Sequence, residues 1–211
     1  KEAYEAGAKE VIVHFRDEIL TRLRYENAPM EVFEHVPAWE AESMNYYAAR
    51  GAAFLSIVSD DPEAMKGVDH AKMAARTVSA DEAFRPYYAR MDKNELQWCV
   101  AAVPSPAWAK KVFPEKSEED AVASLWKAIF QTVRVGENAE EKWQEHGRAL
   151  EERSRMLNEK QFTKLHYQNS LGTDFTVGLA QNHIWAGGSD QTSGGVTFFA
   201  NMPTEEIFTM P

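Results

Sequence analysis

Two adjacent carboxylates, Glu205 and Glu206, are the strongest candidates for chemistry in this chain. They follow Pro203 and Thr204 and precede an apolar pair that would draw the segment toward a core. A carboxylate held beside a core needs a charge partner. One interpretation is that a carboxylate here binds or bridges a divalent metal ion. The other is that Thr204 caps a short helix whose first turn carries both glutamates, which the helix dipole favours.

The six histidines offer no metal-binding motif of their own. The sequence contains no His-Glu-x-x-His run and no Cys/His cluster with zinc-finger spacing. His166 and His183 lie nearest to glycine-rich segments, so they are slightly better candidates for a metal or substrate contact than the other histidines. Taken singly, each histidine is expected to be structural.

Other common catalytic signatures are also missing from the sequence. The pairs Gly187-Gly188 and Gly194-Gly195 have no Walker spacing and open no helix, so we interpret them as turns. No Gly-x-Gly-x-x-Gly follows an early strand, and no Gly-x-Ser-x-Gly elbow occurs. The single cysteine, Cys99, stands in an apolar run, which predicts a buried and inert thiol without an intrachain disulfide.

Charge and hydropathy restrict the partners and the compartment. The chain carries 33 acidic and 23 basic residues, a formal net charge of −10, and this field repels phosphate backbones and anionic membrane surfaces. No apolar stretch approaches the roughly 20 residues needed to span a bilayer, and no signal peptide is evident. The sequence therefore predicts no nucleic-acid partner, no membrane contact and a cytoplasmic location.

The elements that must position these residues fall into two parts. Up to about residue 103, apolar strands predicted at 11–15, 53–58 and 96–103 alternate with helices predicted at about 17–27, 37–51 and 69–91. This order predicts an α/β fold, a helix-covered and mostly parallel sheet.

Helices continue to about residue 160, and the composition then changes. We predict helices at 108–113, from the cap at Ser117 onward, and at about 139–160. Short strands are predicted beyond Gln161, at 162–167, 175–177, 184–185 and 196–199. We therefore predict an α/β N-terminal domain over 1–160 and the beginning of a β-rich domain over 161–211.

The segment Asn201 to Pro211 resembles the aminopeptidase T, aminopeptidase S and PepS family, whose members carry Asn-x-Pro-Thr-Glu-Glu-x-Phe-Thr-x-Pro. Further segments resemble the family in the same order: 28–30, 59–62, 67–69, 108–114, 165–167, 172–174, 178–179, His183 and Trp185. The resemblance covers essentially the whole chain. It favours the functional interpretation of the two carboxylates over helix capping.

This resemblance implies a cytoplasmic, dimeric exopeptidase that removes N-terminal residues from peptides with two divalent metal ions, commonly zinc, cobalt or manganese. One glutamate of the motif is then a metal ligand, and we favour Glu206, with Glu205 as the alternative. The remaining ligands are expected C-terminal to the motif. The part over 161–211 is then the beginning of a metal-binding catalytic domain. Because the first residues read as the last turns of a helix and the chain stops at Met210-Pro211, we expect a fragment. Since one carboxylate cannot hold two metal ions, we expect this fragment to be inactive alone.

Two other functions stay open at this point. The chain could be a non-catalytic α/β interaction or regulatory domain, in which both glutamates only begin a helix and the tryptophan-rich helices form a partner surface. A small-molecule hydrolase or transferase on a doubly wound sheet is a further alternative, which rests on fold analogy alone.

Overall fold

The computed structural model describes residues 1–201, so Glu205 and Glu206 lie outside the described part of the chain. The helices are α1 (Glu2–Glu5), α2 (Glu18–Asn27), α3 (Ala38–Ala49), α4 (His70–Ala83), α5 (Arg85–Asp92), α6 (Pro106–Val112), α7 (Glu118–Thr132) and α8 (Ala139–Lys160). The strands are β1 (Phe54–Val58), β2 (Trp98–Ala102), β3 (Lys164–Gln168), β4 (Asp174–Gly178), β5 (Asp190–Gln191) and β6 (Thr197–Phe198). A short 3₁₀ helix spans Met30–Val32.

Strands β1 and β2 form a parallel pair with helices between them, which confirms the α/β class. Leu55 lies opposite Cys99, and Ile57 lies opposite Ala101. Cys99 is half-buried, so it is less enclosed than the sequence predicted. A parallel pair needs a long crossover, and α4 and α5 supply it here.

Phe54 marks the better covered face of this pair, although Ser56 and Val58 on the same face are exposed. The ring of Phe54 packs edge-on against Tyr87 of α5, with ring centroids 4.9 Å apart. Because side chains alternate along a strand, Leu55 and Ile57 lie on the opposite face. Their exposed fractions are 65% and 64%.

The prediction of a strand at residues 11–15 was wrong for the described part of the chain. Residues 11–15 are irregular and pair with no described strand. Val13 is 81% exposed and Phe15 is 87% exposed. A β-branched apolar run can form a strand only where a neighbour supplies hydrogen bonds, and the described residues offer none at this position.

The helices follow the local signals closely. Asp17 Oδ1 accepts a hydrogen bond from the Leu20 N–H at 2.9 Å, and Ser117 Oγ accepts one from the Asp120 N–H at 3.1 Å, so both residues cap the helices that follow them. The helix predicted at 69–91 is instead two helices that meet at Phe84. Pro86 explains the break, since it lacks an N–H for a helical hydrogen bond and its ring clashes with the preceding turn.

A compact apolar cluster joins α6 and α7. Ala109, Ala121 and Leu125 are buried there. Trp108, Phe113, Val122 and Ile129 pack around them. This cluster fixes the helical part of the chain that leads into α8.

The residues after α8 form two antiparallel hairpins, β3–β4 and β5–β6. The strand predicted at 184–185 is absent, and those residues are irregular. The domain boundary near residue 160 stays a prediction. Among residues 1–201, no helix combines the length and apolar character needed to cross a membrane.

Candidate metal centre

The segment that leads to the two candidate carboxylates is attached to the edge of β2. The Val100 N–H donates a hydrogen bond of 3.1 Å to the carbonyl oxygen of Ala200. On β2 the backbone groups of Gln97 and Val103 are directed toward β1, so those of Val100 are directed away from it. Ala200 therefore lies at the β2 edge opposite β1, five and six residues before Glu205 and Glu206.

Aromatic packing against α8 provides a second attachment. The Phe199 ring lies 5.4 Å from the Trp143 ring, centroid to centroid, and Phe198 is buried. Trp143 is itself held, because its indole N–H donates to the Val133 carbonyl at 2.9 Å. Gly147 faces the Phe199 ring, and a Cβ at this position would lie 4.0 Å from Phe199 Cζ.

The β5–β6 hairpin is the third attachment. The Ser193 N–H donates to the Asn94 carbonyl at 2.7 Å, and the Asn94 side-chain amide donates to Asp190 Oδ1 at 2.9 Å. Thr192 is buried, and its backbone N–H and side-chain oxygen both bond to Val196, at 2.9 and 3.0 Å. Three contacts of different kinds thus hold the chain that enters the motif.

Two solvent-open cavities lie along α8 beside this segment. The smaller one has a volume of about 430 Å³ and is bounded by Phe199, Glu140, Arg148 and Glu151, among others. The larger one has a volume of about 630 Å³ and reaches from Glu151 to the loop around Trp185. Carboxylates and guanidinium groups share these walls, so neither cavity carries charge of one sign only.

The side chain of Asn158 in α8 makes two hydrogen bonds to the loop around Trp185. The Asn158 side-chain amide donates to the Trp185 carbonyl at 2.8 Å, and Asn158 Oδ1 accepts from the Trp185 N–H at 2.8 Å. His183 Nδ1 lies 2.8 Å from the Ala180 carbonyl oxygen and therefore carries its proton there. His183 Nε2 and Trp185 Nε1 are buried and have no hydrogen-bond partner among residues 1–201.

His146 and His166 have surroundings separate from those of His183. His146 is buried in α8, and Arg134 Nη2 lies 3.0 Å from its Nδ1. Because a guanidinium only donates, that nitrogen is an acceptor. His166 Nε2 lies 2.8 Å from Asp174 Oδ1 across the exposed β3–β4 hairpin. Over residues 1–201, no three His, Cys, Asp or Glu side chains come together in a metal-binding arrangement.

One carboxylate away from this segment has a shifted acidity. Glu63 pairs with Lys111, and the hydrogen bond and positive charge from that ammonium group lower the pKa of Glu63 below its usual value. The pair is exposed and joins the turn after β1 to α6. It stabilises this connection.

The ligand role of Glu206, and of Glu205 as its alternative, stays a prediction because both residues lie outside the described part. The structure adds residues that the sequence did not single out, namely Val100, Trp143, Asn158 and Phe199. Each one matters because of the contact that it makes in the folded chain. No motif around these residues marked them, although the aromatic pair 198–199 was predicted to be in a strand.

The whole chain, residues 1–211, matches the family described as thermophilic metalloprotease (M29). The chain belongs to the M29 family. Its similarity to Aminopeptidase AmpS of Bacillus subtilis (strain 168) is 44% identity over 212 residues, covering 100% of this chain and 52% of the relative. Aminopeptidase T of Thermus aquaticus is 38% identical over 212 residues, with the same coverage of both chains.

A solved structure has the same fold over almost the whole chain. The structure named wild-type AmpT from Thermus thermophilus is 36% identical and superposes with a TM-score of 0.84, covering 97% of this chain and 50% of that one. The chain therefore spans about half the length of the M29 relatives that it matches.

Proposed function

We propose that this chain is part of a metal-dependent aminopeptidase that releases N-terminal amino acids from peptides. The observation that carries the proposal is the match to the M29 metalloprotease family over all 211 residues. Relatives that cover the whole chain at 38–44% identity are named aminopeptidases. These matches include the Pro-Thr-Glu-Glu segment, since every residue of this chain is covered.

In this proposal Glu206 is a ligand of a two-metal site, with Glu205 as the alternative. Carboxylate oxygens suit zinc, cobalt and manganese, the three ions that we consider. Such a pair of ions supplies a nucleophilic water of lowered pKa and polarises the scissile carbonyl. Because residues 1–201 contain no cluster of three candidate ligands, we infer that the other ligands lie elsewhere in the protein.

The described residues hold the chain just before the carboxylate segment. The hydrogen bond from Val100 holds the backbone at Ala200, and the Phe199 ring packs on α8. A metal ligand must be held to within a fraction of an ångström to be effective, so rigid support of this kind contributes directly to affinity. We assign this positioning role to β2 and α8.

Charge supports peptides as substrates. The net charge of −10 attracts the free α-ammonium group by which an exopeptidase recognises a peptide end. Glu140 and Glu151 bring carboxylates to the walls of the cavities beside Phe199. We further propose that the enzyme acts in the cytoplasm as a homodimer.

The test compares two neighbouring substitutions in the full-length protein. Glu206→Gln and Glu205→Gln are titrated calorimetrically with cobalt and zinc, and the same samples are assayed with leucine p-nitroanilide. We expect Glu206→Gln to lose about one metal equivalent together with activity, while Glu205→Gln keeps the stoichiometry. The reverse pattern would move the ligand to Glu205. Unchanged stoichiometry and rate in both variants would contradict the metal site and favour a non-catalytic domain.

The 211-residue chain alone is expected to be inactive. A single carboxylate cannot hold two ions, so the water and the carbonyl would not be activated. Purified chain supplied with excess cobalt should show no cleavage above buffer. Cleavage at the rate of the full-length enzyme would overturn this expectation.

A further inference from the structure

Strand β1 has one edge that no described residue pairs with. The Phe54 N–H donates to the Gln97 carbonyl at 2.9 Å, and the Val58 carbonyl accepts from the Val103 N–H at 2.8 Å. Both residues therefore direct their backbone groups toward β2. Since these directions alternate along a strand, the N–H and C=O groups of Leu55 and Ile57 point to the opposite edge. Within residues 1–201, β1 pairs only with β2.

The side chains of the same two residues are also left uncovered. Leu55 is 65% exposed and Ile57 is 64% exposed, although both are large and apolar. Ala101 lies beside Ile57 on the same face and is exposed as well. Parallel sheets are normally buried on both faces. The open face therefore indicates that a covering layer is missing, and the open edge indicates that a strand is missing.

Residues 11–15 have the sequence of a buried strand, and they too pair with no described strand. Their carboxyl end lies at the same end of the sheet as the carboxyl end of β1. Glu18, at the start of α2, accepts a hydrogen bond of 2.8 Å from the Asp61 N–H, in the turn that leaves β1. Arg22 donates to the Ala64 carbonyl at 2.6 Å in the same turn. Two apolar segments thus end together without any pairing between them.

We propose that one β-strand from outside residues 1–211 of the same polypeptide lies between β1 and residues 11–15, parallel to both. A strand supplies donors and acceptors to both neighbours at the usual spacing of about 4.8 Å, whereas a helix can cover side chains but cannot satisfy the backbone of Leu55 and Ile57. About half the length of the relatives lies outside this chain, so such a strand is available.

A second copy of the chain fits these observations less well. Two β1 edges related by a twofold axis would meet antiparallel, and residues 11–15 of each copy would remain exposed. A strand from the same polypeptide pairs with both β1 and residues 11–15. This inference does not depend on the metal site, so it stands or fails separately from the proposed activity.

Amide hydrogen exchange in the full-length protein tests the strand directly, with controls inside β1. The N–H groups of Phe54, Ser56 and Val58 face β2, and those of Leu55 and Ile57 face the open edge. We expect Leu55 and Ile57 to exchange as slowly as the three controls, to within about tenfold. If Leu55 and Ile57 exchange at least a hundredfold faster than the controls, then no strand occupies the edge and the proposal is overturned.

Two further measurements distinguish the alternatives. Protection of Leu55 and Ile57 should not change over a hundredfold range of protein concentration, and loss of protection on dilution would identify a second copy instead. Ile57→Pro removes an N–H that faces the proposed strand, while Val58→Pro removes one that faces β2. We expect both variants to lower the melting temperature by similar amounts. A melting temperature unaffected by Ile57→Pro would overturn the proposal.

Discussion

The Val100 N–H lies 3.1 Å from the carbonyl oxygen of Ala200, and this bond joins the middle of β2 to the chain that enters the Pro-Thr-Glu-Glu motif. Phe199, the neighbour of Ala200, packs on Trp143 of α8. Strand β2 and helix α8 thus both contact the last described residues before the motif that carries the two candidate carboxylates. Substitutions at these supports should change the metal site without touching a ligand.

Phe199→Ala tests this coupling in the full-length protein. Loss of the ring removes its contact with Trp143, so the segment is held less firmly, and we expect metal affinity to fall by about tenfold or more. Calorimetric titration with cobalt measures the change. Phe130→Ala is the matched control, because it removes a partly exposed ring from α7. Equal metal affinity in the two variants would contradict a positioning role for Phe199.

Asn158 should be a strong determinant of stability although it lies on a highly charged helix. Asn158→Ala removes two hydrogen bonds of 2.8 Å to the Trp185 backbone, and we expect a loss of about 1–3 kcal/mol in the free energy of unfolding. Asn158→Asp keeps the acceptor but sets a carboxylate oxygen against the Trp185 carbonyl, so it should destabilise the fold as well. Urea denaturation measures both values. An unchanged free energy of unfolding in both variants would contradict this account.

Gly188 is required by its backbone conformation. Its φ is +90°, and a Cβ would lie 3.8 Å from Glu151 Cγ and 3.9 Å from Leu150 Cβ. Since the space is sufficient, the cost of Gly188→Ala comes from the positive φ, about 1–2 kcal/mol. Gly178→Ala is the control, because a Cβ there meets nothing within 4 Å and needs no positive φ. Thermal unfolding should separate the two variants by several degrees.

Tyr87 should make stability decline at alkaline pH. Burial, with the neighbouring Tyr88 as a smaller cause, raises the pKa of Tyr87 above its ordinary value of 10.0. The folded state therefore keeps the proton more firmly, so this contribution is present below pH 10 and is lost as the pH rises through the folded pKa. Tyr87→Phe keeps the contact with Phe54 and should reduce the fall in melting temperature above pH 10.

The control for the tyrosine experiment is Tyr46→Phe, which removes a hydroxyl from an exposed ring. We expect its melting temperature to follow the unsubstituted protein between pH 8 and pH 11. An identical alkaline decline in Tyr87→Phe and in the unsubstituted protein would rule out Tyr87 as the cause.

Local chemistry was sufficient to predict most of the helices. Asp17 and Ser117 accept hydrogen bonds from the first turns of α2 and α7, and such capping needs only a few neighbouring residues. Helix α8 was predicted at its observed bounds, since its narrow apolar face repeats with helical spacing. The break at Phe84 was missed, although Pro86 is a local signal that marks it.

Strands depended on partners that the sequence could not supply. Residues 53–58 and 96–103 were predicted as strands, and the structure pairs them in parallel as β1 and β2. The equally apolar run at 11–15 has no partner among the described residues and is irregular. The difference lies in the hydrogen bonds between strands, which come from segments far apart along the chain.

The sequence by itself determined the α/β order, the helix caps and the motif whose resemblance placed the chain in its family. Each of these depends on residues that are neighbours along the chain, or on a short run of fixed spacing. Only the tertiary structure decided that Ala200 joins β2 at Val100, that Phe199 packs on Trp143 and that Asn158 holds Trp185. Those contacts join residues that are 27 to 100 positions apart, and their formation depends on how the whole layer packs.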